Sequence, residues 1–339
     1  MLMKRKTVKR KITSAAALLL ILVMALFGLT GCMGTTGSKV IPLTPTVSPP
    51  TVSKNGTLVV GVDSTRAPYA GFSKGNLVGI DVDVAAALAD QLGLKLELVD
   101  TSGKSADSLL QAGTVDVIMD VEQSGASITQ GKQIGPYVIS GPALFMSVKG
   151  TTVPTIDLTT LSGATIVAQK DSLSAWTVDN IIGKGTSSPV NNLQDALKAV
   201  SDGTATYAAA DAIVGSYLAT NFANVACVKL FPQSSIGVYL AVNQNNTQLA
   251  DALTNALRTV RDNGELPIIL TKWLGAISAS VVASTEAVVT KDTTAAPSTS
   301  SGTVDLGNDL PDPSLAGGTD TTTDQSNGGA DTTSGDTQP

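Results

Sequence analysis

The chain has 339 residues, and its 28 Asp and Glu outnumber 22 Lys and Arg to leave a formal charge of −6. An acidic surface repels polyphosphate backbones and anionic headgroups, which argues against nucleic acid and acidic lipid as partners. The sequence contains no histidine, which removes the usual general base, the commonest metal ligand and every Ser-His or Cys-His nucleophile arrangement.

The chain opens on a leader. Lys4, Arg5, Lys6, Lys9, Arg10 and Lys11 give a cationic start, and the uncharged stretch 15–29 supplies the apolar run that export requires. Behind it, Leu29-Thr30-Gly31-Cys32 resembles the lipobox at which bacterial lipoproteins are cut and lipidated. That resemblance implies a signal peptide over 1–31, palmitate-type acyl chains at Cys32, and a position on the extracytoplasmic face of the cell membrane. Two or more chains, at ~0.8 kcal/mol per buried methylene, hold a protein on a bilayer as one chain does not. A transmembrane anchor is the competing reading, since 12–33 reaches the roughly 20 residues a span needs, although Gly28 and Gly31 weigh against a helix there. With Cys32 carrying lipid, Cys227 is the thiol left over, and its apolar setting in 225–228 reads as buried and inert. Neither an intramolecular disulfide nor a cysteine-based zinc site can then form, and no cofactor or metal is expected.

Residues 32–56 are rich in Gly, Ser, Thr and Pro and read as a flexible spacer, about 25 to 30 Å in reach as a random coil. The composition turns Ser/Thr/Asp/Gly-rich again over 276–339, which reads as a disordered acidic tail, with the Val281-Val282 and Val288-Val289 pairs as candidates to extend order slightly past its start. The stretch between them is long enough for two lobes.

Within it the runs 58–62, 95–99 and 115–121 read as buried strands. Val84, Leu88 and Leu92 recur at helical spacing before Gly93, and Leu109 and Leu110 lead to a second stop at Gly113. Alternating strands and helices predict an α/β fold with an open, mainly parallel sheet. The pattern recurs with a strand at 164–168, helices at 173–182 and 193–200, and a strand at 204–210. Each half then has a helix, a glycine stop, an apolar strand and an acid at its carboxyl end, Asp120 in one and Asp211 in the other. Ligands in such sheets bind beyond the carboxyl ends of the strands, so the cleft between the halves is the expected site. Leu249, Leu253, Leu257 and Val260 mark one more amphipathic helix.

Several segments resemble the family 3 extracellular solute-binding proteins, the amino-acid-type receptors of ABC importers. They are Gly61-Val62-Asp63 with Pro68-Tyr69, Gly79-Ile80-Asp81-Val82-Asp83-Val84, Pro136-Tyr137-Val138-Ile139-Ser140-Gly141, Gly237-Val238-Tyr239-Leu240-Ala241-Val242, and Asn263-Gly264 through Lys272-Trp273-Leu274-Gly275. The resemblance implies a type II periplasmic-binding fold, with lobe 1 over 57–144 and 244–275, lobe 2 over 145–243, and two hinge strands between them. It also implies capture of a small solute by hinge closure, delivery to a membrane permease, a monomer, and binding without catalysis.

Position by position, Asp211 matches the lobe 2 aspartate that takes a substrate ammonium, although capping the helix from Ala212 explains it as well. Asp171 and Ser172 match a carboxylate-receiving loop, and Tyr69 a pocket aromatic. Two departures matter. The arginine with which α-amino-acid binders clamp the carboxylate is missing from 122–129, and Arg66 replaces an aromatic in the first loop. Asp63, Asp120, Glu122 and Asp211 together suit a cationic or amine-bearing solute. The same fold also serves as a non-transporting receptor, or as a lyase in which Asp63, Asp120 and Glu122 do acid/base work.

Overall fold

Apolar runs and helical stripes alternate from Thr57 onward in the computed structural model, which describes residues 43–122 and 128–283. The leader, Cys32, the segment 123–127 and the end of the chain beyond 283 fall outside the described residues. The first half carries β1 (Thr57–Val62), a hairpin of β2 (Gly71–Ser73) and β3 (Asn76–Val78), α1 (Ile80–Gln91), β4 (Lys95–Asp100), α2 (Ala106–Gln111), β5 (Val117–Glu122) and β6 (Gly131–Ser140). Helix α1 buries Ile80, Val84 and Leu88 and gives way at Gly93, where φ is 65°. A Cβ at Gly93 would lie 2.1 Å from the Thr44 carbonyl oxygen, so the close approach of the preceding chain also selects glycine.

The second half carries β7 (Pro142–Ser147), β8 (Ile166–Gln169), α3 (Leu173–Ile181), β9 (Ser187–Val190), α4 (Leu193–Ser201), β10 (Tyr207–Asp211), α5 (Ala212–Ala219) and β11 (Val225–Leu230). The chain then returns through β12 (Ile236–Asn243) to α6 (Thr247–Asp262), α7 (Glu265–Leu274) and α8 (Ala276–Val282).

Two five-stranded sheets result, ordered β4-β1-β5-β12-β6 and β11-β7-β10-β8-β9. In the first, β1 runs parallel to β4 and β5, while β12 is antiparallel to β5 and β6. In the second, β8 runs parallel to β9 and β10, while β7 is antiparallel to β10 and β11. Both lobes therefore share one pattern, three parallel strands followed by an antiparallel one. The fold is the two-lobed, mixed α/β architecture that the sequence predicts.

The strand exchanges correct the expected lobe boundaries. The chain leaves the first sheet at Gly141, between β6 and β7, and returns through 231–235, between β11 and β12. Residues 142–144 therefore belong to lobe 2 and 236–243 to lobe 1, because backbone pairing, which composition does not reveal, decides membership. The two crossings touch: the Phe231 N–H donates to the Pro142 carbonyl at 3.0 Å, and a Cβ on Gly141 would meet the Ser234 carbonyl oxygen at 2.6 Å.

The ends of the folded part also differ from expectation. Val47, Thr51 and Val52, placed in the spacer, are buried, and the Thr51 hydroxyl donates to Gln248 Oε1 at 2.8 Å. Past the expected boundary at 275, α8 buries Ala279 and Val282. Its Ser278 hydroxyl accepts the Cys227 N–H at 3.0 Å, closing part of the outer edge of β11. Polar, small-residue-rich composition reads as coil at both ends, yet a few well-placed apolar groups suffice to pack them. Cys227 is free and fully buried, and burial pushes its thiol up to about 12, so it is inert as expected.

Candidate ligand site

The lobe 1 half of the site is built on β5. Asp120 has φ 57°, a left-handed conformation that costs a non-glycine residue ~1 kcal/mol or more. Its N–H donates to the Tyr137 hydroxyl at 3.2 Å, and that hydroxyl donates to Asp81 Oδ1 at 2.6 Å. The Asp120 side chain is only 4% exposed, covered by Arg66. Arg66 Nε donates to Asp120 Oδ2 at 2.7 Å, and its Nη2 reaches Asp120 Oδ1 at 3.4 Å and Glu122 Oε1 at 3.3 Å. The guanidinium carbon also lies 5.9 Å from the centroid of the Tyr69 ring.

Asp81, in the first turn of α1, is fully buried, and its Oδ2 has no hydrogen-bond partner. Burial pushes its carboxyl up to about 7, against the pull of Tyr137 and Arg66. Burial and the neighbouring Asp81 push Asp120 upward too. Arg66 pairs directly with Asp120 and favours its ionised form, opposing that rise. Burial lowers the Arg66 pKa, but Asp120 and Glu122 outweigh it and hold the guanidinium charged.

The lobe 2 half is built on β10. Asp211 ends that strand and caps α5, its Oδ1 accepting the Ile213 and Val214 N–H groups at 2.9 Å each. Its Oδ2 accepts the hydroxyl of Ser140, the last residue of β6, at 2.9 Å. Asp211 thus sits beside the first crossing, where the Ala212 N–H donates to the Gly141 carbonyl at 2.8 Å. Burial pushes the Asp211 carboxyl up, against the pull of the Val214, Ser140 and Ile213 donors. Tyr69 is buried between the two halves. Burial raises its phenol, Asp211 and Asp120 add to that, and Ser140 draws it back.

Of the residues singled out in the sequence, Arg66, Tyr69, Asp120 and Glu122 come together at the end of β5, and Asp211 stands near Tyr69. Asp63 does not join them, because its Oδ1 accepts the Thr65 N–H at 3.0 Å and hydroxyl at 2.7 Å in a local turn. Ser172 caps α3 by accepting the Ala175 N–H at 3.1 Å, and the adjacent Asp171, at φ 58°, has a side chain 84% exposed beside Lys170. Asp81, Tyr137 and Ser140 were missed as site residues, although all three lie in the segments that carry the family resemblance.

The sequence profile of the bacterial extracellular solute-binding proteins, family 3, matches residues 58–276. The chain belongs to that family. Family members are extracellular proteins, which places the chain outside the cytoplasm. It is 26% identical over 238 residues to the "Probable amino-acid ABC transporter-binding protein" of Haemophilus influenzae, covering 66% of this chain and 87% of that one. Against the L-cystine-binding protein TcyJ of Escherichia coli K12 it is 27% identical over 238 residues, covering 66% and 85%. The unliganded open form of the L-cystine solute receptor of Neisseria gonorrhoeae shares the fold, with a TM-score of 0.55 at 24% identity over 66% of this chain and 94% of that one. The family match ends at the start of α8, so the helix that clips β11 lies almost wholly outside it. Among the described residues no helix is long and apolar enough to cross a membrane, and no group of His, Cys, Asp and Glu suits a metal ion.

Proposed function

We propose that this protein is a lipid-anchored receptor for an amine-bearing, amino-acid-like solute, which it captures by closure of its two lobes and hands to an ABC importer. It works as a monomeric binder without catalysis. Cys32 carries the lipid, and the stretch between it and the first buried residues gives the lobes room to reach a permease. The observation that carries the reading is the pair of acids on equivalent strands. Asp120 and Asp211 occupy the third strand of each lobe's parallel set, and Asp211 borders the first crossing. A cation between them contacts both lobes only when they close, which is the differential affinity that drives closure.

Calorimetry against amino acids, cystine and polyamines tests the proposal. Asp211→Asn should weaken the best ligand by about 1.5 to 3 kcal/mol, the worth of one charge-assisted hydrogen bond; unchanged affinity would remove Asp211 from the site. Cys32→Ser should move the protein from the membrane fraction to the soluble one. Membrane association that persists in that variant would overturn the lipid anchor.

A further inference from the structure

The cluster at the end of β5 is unequal in construction. Its acceptor side is fixed: the Asp120 backbone is held at an unfavourable φ, its N–H is bound to Tyr137, and Tyr137 is bound to Asp81. Its donor side is movable. Arg66 reaches in from the loop between β1 and β2, keeps 42% of its side chain exposed, and shares its fork with the half-exposed Glu122. Strain and second-layer hydrogen bonds spent on placing an acceptor mark a group whose position matters to a partner.

Two carboxylates, Asp120 and Glu122, meet the guanidinium of Arg66, and behind them Asp81 Oδ2 is buried without a hydrogen-bond partner. Asp120 cannot stay ionised on losing Arg66 unless another cation takes its place, since a buried carboxylate left alone is strongly unfavourable. The exchange is therefore one cation for another. The contacts already made show which shape fits: a planar group offering two adjacent N–H donors to Asp120 and a further one to Glu122.

We propose that Arg66 is a tethered occupant of a guanidinium subsite formed by Asp120 and Glu122, and that a ligand cation enters by displacing it. The inference rests on the solute-receptor reading of the cleft. Arg66 then acts as an intramolecular competitor. It selects ligands able to supply an equivalent planar fork and disfavours simple ammonium groups, which offer a point charge in place of paired donors. Once displaced, the side chain has room to swing outward without backbone movement, because it is already partly in solvent.

The test uses agmatine, which has a guanidinium and an amine but no carboxylate, titrated calorimetrically into the full chain and into Arg66→Gln. Glutamine keeps an N–H donor for Asp120 and so preserves folding while removing the competing charge. The expected result is agmatine affinity at least about tenfold tighter in Arg66→Gln, with the gain abolished by adding Asp120→Asn. Equal or weaker binding in Arg66→Gln overturns the inference, as does failure of agmatine to bind either protein. In both of those cases the receptor reading survives if the wild-type chain still binds an amino acid in a manner dependent on Asp211. Loss of every ligand, with Asp211→Asn indistinguishable from wild type, overturns the receptor reading itself.

Discussion

At the residue scale, Asp81 governs how the cluster responds to pH. A carboxyl raised by burial to about 7 keeps in the folded state a proton that the unfolded chain releases near the ordinary value of 3.8. Its contribution to stability is therefore complete below about pH 4 and is lost as pH rises through about 7. Asp81→Asn cannot ionise but still accepts from Tyr137, so it should gain on the wild type between those limits, on the order of 1 kcal/mol per pH unit. Urea unfolding of both proteins at pH 5 and pH 8 measures the difference. Asp100 and Asp107 lie below the ordinary range, where slight burial is outweighed by Ser and Thr donors, but they titrate alike in both proteins and cancel. Parallel pH profiles for the two proteins would show that Asp81 stays ionised in the fold.

At the scale of elements, Asp211 joins two duties that a pair of substitutions separates. As a cap it satisfies two orphan N–H groups of α5, and alanine at that position should cost about 0.5 to 2 kcal/mol in unfolding free energy. Asparagine caps as well as aspartate does, so Asp211→Asn should unfold near the wild-type midpoint while losing ligand affinity. A large stability loss in Asp211→Asn would mean that the charge, through Ser140, also braces the hinge.

The double role was legible in the sequence because an acid stood at a strand's end just before a helix. The strands of the two parallel sets were mostly legible for a similar reason, as buried strands read as apolar runs. What stayed hidden was decided by distant partners. Arg66 meets Asp120 across 54 positions, and Tyr137 meets Asp81 across 56. Strand β9, Ser-Ser-Pro-Val, is an edge held by backbone pairing with β8 and offers no apolar pattern to read. The same holds for the lobe boundaries, which backbone pairing sets.

At the scale of the molecule, the chain links its lobes a third time. Helix α7 is fixed to lobe 1, where Trp273 Nε1 and Lys272 both donate to Asp83 Oδ2. The Trp273 ring also faces Tyr217 of α5 in lobe 2, with centroids 6.3 Å apart. After Gly275, at φ 76°, α8 then packs on β11 of lobe 2. A chain ended after Gly275 keeps the span of the family match almost whole and loses this clip. It forfeits the burial of Val282 and Ala279 and leaves the Cys227 N–H to water on an open strand edge. Burial of one valine contributes about 1.5 to 3 kcal/mol, and the lost hydrogen bond about another 1. The truncated chain should therefore unfold about 2.5 to 4 kcal/mol more easily in urea. Its uncovered β11 edge should also promote association, visible as concentration-dependent light scattering. An unchanged urea midpoint together with monodisperse scattering would show that α8 lies on lobe 2 without holding it.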